Sequence, residues 1–115
     1  MEIGLVTYKT AKLAQDKGFI GNADVGLYDD KEMYHPRMAH WLVGNKNLID
    51  APTQSLLQKW LREIHDNEVF VKSEYKNLKK IGFYYGGTKV YYSAPIFKTY
   101  ELALEKGLQE ALKLI

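Results

Sequence analysis

Apolar residues recur at three- and four-residue intervals in two stretches of this chain, and between the stretches the pattern changes to β-forming runs. From Thr53 to His65, Leu56, Leu57, Trp60, Leu61 and Ile64 fall on one helical stripe, while Gln54, Ser55, Gln58, Lys59, Arg62 and Glu63 fall elsewhere. After Thr99, a good helix cap, a second stripe runs through Tyr100, Ala103, Leu104, Leu108, Ala111, Leu112 and Ile115. Gly107 interrupts that stripe at a cost of about 1 kcal/mol relative to alanine, so another element is expected to approach closely there. Two apolar helix faces need a partner layer, and the aromatic stretch between them supplies one. The expected fold class is therefore α+β: a small antiparallel sheet, a hairpin-containing meander, packed against about three helices.

At 115 residues, of which 46% are apolar and 13% aromatic, the chain has the size and composition of one folded domain, 1–115. No apolar run reaches the roughly 18 residues of a membrane span. Met1-Glu2-Ile3-Gly4 lacks the basic and apolar regions of a signal peptide, which leads to the expectation of a cytoplasmic protein. With no cysteine, disulfides, thiolate metal sites and a cysteine nucleophile are excluded.

Thr7 can cap a first helix from Tyr8 to Lys17, with Gly18 as its stop. From Phe19 to Asp50 glycines, Asp29-Asp30 and His35-Pro36 break the periodicity, leaving Val25–Tyr28 and His40–Val43 as strand candidates. Further on, Val69-Phe70-Val71 reads as a short strand and Tyr75 to Lys80 as a polar connection. Gly86-Gly87, between Ile81–Tyr85 and Thr88–Tyr92, reads as the primed turn of a hairpin. That register sets Tyr85 opposite Thr88. It collects Ile81, Phe83, Tyr85, Val90 and Tyr92 on a core face, and Lys80, Gly82, Tyr84, Lys89 and Tyr91 on an exposed one.

Charge follows the same division. Residues 72–98 hold six lysines and Glu74 alone, whereas the whole chain has a net charge of +2. Lysines interleaved with tyrosines can neutralise phosphate and stack on bases, so Lys80, Tyr84, Lys89 and Tyr91 are the candidate ligand-binding residues. The plainer reading of the same residues is a solvated sheet face. Arginine, better suited to bidentate phosphate recognition, occurs only as Arg37 and Arg62. Gly86-Gly87-Thr88-Lys89 is no phosphate loop, since the residue order is wrong and a strand is expected to follow. Trp60 belongs to the apolar stripe; Trp41, in the irregular region, is the candidate partner-binding residue. Asp29, Asp30, Glu32, His35 and His40 cluster in sequence without zinc-motif spacing, leaving a metal-dependent nuclease as an alternative to binding. His65 ends the second helix, where a cation suits the dipole. No cofactor is called for, and an exposed strand edge makes a homodimer plausible.

Three segments carry a resemblance: Thr7-Tyr8-Lys9-Thr10-Ala11-Lys12-Leu13-Ala14 with Lys17-Gly18-Phe19, Ala51-Pro52-Thr53 through Glu63, and Tyr100-Glu101 with Glu105 through Ile115. They resemble a family of small phage and prophage proteins of gut bacteria. The resemblance covers the expected helices and names no catalytic or ligand residue. What it implies is a setting in the host cytoplasm and a non-enzymatic accessory role: capture of a host component, such as a nucleotide-type signal, to counter host defence. A single-stranded nucleic-acid-binding module is the alternative from the residues themselves.

Overall fold

The computed structural model describes residues 4–19, 26–29, 31–36, 49–93 and 95–115. In chain order its elements are α1 (Tyr8–Asp16), β1 (Gly26–Tyr28), β2 (Tyr34–Pro36), β3 (Ile49–Asp50), α2 (Gln54–His65), β4 (Val69–Lys76), β5 (Lys79–Gly87) and α3 (Tyr100–Lys113). The α+β class is as expected, with the strands divided between two antiparallel sheets, β2-β1-β3 and β4-β5. Among the described residues no helix is long and apolar enough to cross a membrane.

All three helices begin where a threonine hydroxyl can accept a free amide of the first turn. Thr7, Thr53 and Thr99 accept from Thr10, Leu56 and Leu102 respectively. Helix α3 is central, packing against α1, α2 and both strands of the β4-β5 pair. It buries Ala103, Leu104, Leu108, Ala111 and Leu112, as the stripe required, while Tyr100 and Ile115 at its ends stay exposed. A Cβ on Gly107 would lie 2.9 Å from Val69 Cγ1 and 3.0 Å from Tyr85 Cβ, which is the close approach its position implied. Helix α2 buries Leu57 and Leu61 and tucks Leu56 and Trp60 against the core. Ile64, expected in that core, is 65% exposed, because the packed surface ends before the last turn.

The three helices also meet at one carboxylate. Glu105 of α3 accepts from the Thr7 amide and hydroxyl, each at 2.9 Å, from the Thr10 hydroxyl, and from Gln54 Nε2 at 3.0 Å. Thr10 and Gln54 are both buried. Nearby, the Tyr28 hydroxyl donates to the Val6 carbonyl at 2.6 Å, fastening the small sheet to the segment before α1. Burial, and after it the Glu105 charge, raise the pKa of this phenol, which stays protonated as a donor.

The hairpin is not where Gly86-Gly87 placed it. Strand β4 continues through Lys76 and pairs with β5 from Val69↔Gly87 to Lys76↔Lys79, around a two-residue turn at Asn77-Leu78. Both turn residues have positive φ, 53° and 65°, as a type I′ turn demands. Tyr75 to Lys80 is thus the end of one strand, the turn and the start of the next, and Thr88–Tyr92 is not a strand. Pairing of Val71 with Tyr85 beneath α3 joins the two strands through their buried face, and Asn77 tolerates the left-handed turn position. The other strand candidates divide: β1 reproduces most of Val25–Tyr28, and His40–Val43 lies outside the described residues.

Two stability outcomes follow from this packing. Glu105→Ala is expected to lower unfolding stability by about 2–3 kcal/mol, read as a lower urea midpoint at constant m-value, because two buried donors lose a charged acceptor. Leu78→Gly is expected to raise it by roughly 0.5–1 kcal/mol in the same titration by relieving the left-handed leucine, which is 98% exposed and has little packing to lose.

Candidate binding surface on the β4-β5 ribbon

Alternation along β4, and along β5 from Gly82 to Gly87, sorts the side chains between two faces; a register shift at Glu74/Tyr75 leaves Ile81, expected on the core face, unpaired and 47% exposed, and returns Lys80 to the α3-facing side opposite Tyr75. Val69, Val71, Phe83 and Tyr85 turn toward α3. Burial raises the Tyr85 phenol pKa, with Glu110 adding to the shift and Lys113 opposing it, so this ring is a neutral part of the core. Phe70, Lys72 and Glu74 of β4 lie opposite Gly86, Tyr84 and Gly82 on the outer face.

Beyond β5 the chain curls and returns along that strand's free edge. Thr88 N first extends the β4 pairing by donating to the Glu68 carbonyl; on the free edge, Ser93 N then donates to the Tyr85 carbonyl and Phe97 N to the Phe83 carbonyl. The curl lays the Tyr92 ring on the outer face directly over Gly86, where any Cβ would fall 2.2 Å from Tyr92 Cδ1. Gly87 is constrained as well, since a Cβ there would lie 2.1 Å from the Glu68 carbonyl oxygen. The glycine pair therefore serves close approach rather than a turn.

Tyr92 stands edge-on between Phe70, with centroids 6.0 Å apart, and Tyr84, at 5.6 Å. Lys72 Nζ lies 5.1 Å from the centroid of Phe70, close enough for a cation–π contact. Phe70, Lys72, Tyr84 and Tyr92 form one aromatic patch with a cation at its margin. Beside it, residues 87–92 wall an open depression of about 500 Å³.

Of the four candidate ligand residues, Tyr84 lies in this patch and Tyr91, 94% exposed, lies on the wall of the depression. Lys89 also lines it, but its ammonium donates to the His65 carbonyl at 3.1 Å and so caps the C-terminal end of α2. Lys80 is elsewhere. It sits seven residues before Gly87 on β5, roughly 20 Å along the strand, next to the turn. Its Nζ lies 4.9 Å from the Phe83 ring centroid. The expected cluster assumed that Thr88–Tyr92 pairs with Ile81–Tyr85, and the β4-β5 register separates its members. Phe70, Lys72 and Tyr92 were missed. The alternation continuing from Val69 through Lys72 to Glu74 was the available signal for the first two; Tyr92 had been assigned to the core face and is 64% exposed.

Around the turn, Lys76 and Lys79 stand directly opposite each other and Lys80 opposite Tyr75. Lys72, Lys76, Lys79 and Lys80 form no ion pair with any described residue. The ribbon therefore carries positive charge along much of its length.

The acidic cluster has a different occupation. Asp29 Oδ1 accepts from the Lys31 and Met33 amides, at 2.8 and 3.0 Å, and organises the β1-β2 turn. Among the described residues no group of three His, Asp or Glu side chains is placed to hold a metal ion. His35 lies in β2, His65 ends α2 with its ring 4.6 Å from that of Trp60, and Asp30, His40 and Trp41 lie outside the described residues.

Gly86→Val is expected to expel Tyr92 from the sheet face while the β4-β5 pairing persists. Loss of near-ultraviolet circular dichroism with a retained far-ultraviolet spectrum would show it. Comparison with known protein families, curated proteins and solved structures found no match to this chain.

Proposed function

We propose that this chain is a non-enzymatic binding protein whose ligand is a single-stranded nucleic acid lying along the outer face of the β4-β5 ribbon. The observation that carries this reading is the distribution along the strands of exposed rings and of lysines that form no ion pair with any described residue. The Lys76–Lys79 pair by the turn and the Tyr84–Tyr92 patch near the base are separated by more than one nucleotide's reach, while a strand of several nucleotides bridges them. Lysines spaced along the ribbon neutralise successive phosphates, and Phe70, Tyr84, Tyr91 and Tyr92 present rings on which bases stack without regard to sequence.

A second reading, capture of a single nucleotide-type signal as in a counter-defence role, is favoured by the open depression of about 500 Å³, a volume within the range of small-molecule sites. On that reading Tyr91, Tyr92 and Lys89 hold the ligand and the lysines by the turn are ordinary surface.

Fluorescence anisotropy with labelled oligothymidylates of increasing length, repeated across salt concentrations, separates the two. Strand binding is expected to tighten with length and weaken with salt, with a log–log slope near −0.7 for each phosphate neutralised. Tyr92→Ala is expected to weaken it by about 1–3 kcal/mol, and Lys79→Ala to flatten the salt slope for long oligomers only. Affinity equal for a mononucleotide and a long oligomer would sink the strand reading in favour of the second.

A further inference from the structure

The two edges of the ribbon are finished differently. In β4 the even-numbered residues direct their amides and carbonyls toward β5, as the Thr88 amide bond to the Glu68 carbonyl shows at the base of the ribbon. The odd-numbered residues face the other way. Val69 O is met there by Gln58 Nε2 and Tyr75 N by its neighbour's Glu74 Oε1. Between them, no described residue bonds the outward amides and carbonyls of Val71 and Ser73. The far edge of β5, by contrast, is closed by Ser93 and Phe97. An open, regular strand edge is a template for another strand.

We propose that this edge pairs with the same edge of a second copy of the chain, antiparallel and centred on Ser73. Only outward residues can exchange ladder bonds, so Ser73 must meet an odd-numbered residue of the partner. With Ser73 opposite the partner's Ser73, Lys72 lies opposite the partner's Glu74 and Glu74 opposite the partner's Lys72. On the α3-facing side Val71 meets the partner's Tyr75, a β-branched and aromatic pair that favours strand pairing. On the outer side Phe70 meets the partner's Lys76, repeating the cation–ring contact that Lys72 already makes with Phe70.

Sliding the partner by one repeat in either direction destroys this match. One step sets Lys72 against the partner's Lys72, and the other sets Glu74 against the partner's Glu74. Like charges directly opposite are destabilising, so the sequence selects one register. Glu74, the only acid between residues 72 and 98, is the residue that makes the edge self-complementary. The dimer joins the ribbons into a four-stranded sheet, β5-β4-β4-β5, with both outer faces on one side. Only two short strand edges meet, so association is expected to be reversible and concentration-dependent.

Sedimentation analysis of the full chain tests this without reference to any ligand. The 13.3 kDa chain is expected to approach twice its mass as concentration rises. Lys72→Glu and Glu74→Lys are each expected to remain monomeric, with circular dichroism confirming the fold. The doubly exchanged variant, and an equimolar mixture of the two single variants, are each expected to regain the dimer, because opposite charges again face each other. A constant monomer mass for the unaltered chain up to about 1 mM would overturn the proposal. So would a dimer indifferent to both single reversals, or single reversals that neither the exchange nor the mixture rescues.

Discussion

The Glu105 carboxylate is where the three helices become one body. It stands at the N-terminal end of α1, where free amides and the helix dipole favour negative charge, and it accepts from Thr7, Thr10 and Gln54. Gln54 also donates to the Glu101 carbonyl, and Gln109 donates to the Thr10 hydroxyl, so two more residues of α3 share the network. Buried donors such as Thr10 would cost about 1–3 kcal/mol each without an acceptor, so this network leaves little freedom in how α1 and α2 dock on α3. That docking presents the far side of α3, with Gly107 at its middle, to the ribbon.

Missing side chains then decide how the ribbon seats. Gly107 lets Val69 and Tyr85 approach the α3 backbone, and Gly87 lets the end of β5 pass the Glu68 carbonyl. Gly86 leaves the space on the outer face that Tyr92 fills. The buried and exposed faces of the ribbon are thus coupled. The contact that buries Tyr85 under α3 holds Tyr84 outward, and the return of the chain through Ser93 to the Tyr85 backbone brings Tyr92 over to meet it. The aromatic patch is a by-product of core packing on the other side of the same strands.

The charge pattern is consistent with the same division of labour. Several acidic residues elsewhere are engaged locally: Glu105 in the helix network, Asp29 in the β1-β2 turn, Asp16 with Lys12, and Glu110 with Lys106 and Lys113. On the ribbon the lysines have no such partners among the described residues, and like charges even face each other at Lys76 and Lys79. Directly opposed cations destabilise a hairpin slightly, so the turn carries a local electrostatic cost that the pairing of the strands offsets.

Local rules were enough for the helices, because each required property lay within a few residues: a threonine cap, a stripe of apolar side chains, and a glycine whose only use is close approach. The same rules correctly put Phe83 and Tyr85 inward and Tyr84 outward, since alternation along a strand needs no knowledge of its partner. They did not identify the partner. Gly86-Gly87 and Asn77-Leu78 both permit a primed turn, and the glycines look better in isolation. What favoured Asn77-Leu78 was long-range: it places Val69 and Val71 beside Gly87 and Tyr85 under α3, a burial that a hairpin at Gly86 would forgo. With that choice Lys80 moved to the far end of the ribbon, Lys89 became the cap of α2, and Phe70, Lys72 and Tyr92 entered the surface. The sequence by itself determined which residues are helical and that Phe83 and Tyr85 face opposite to Tyr84. Only the tertiary structure decided which rings and cations share a surface, because strand pairing is set by the core that the two strands bury together.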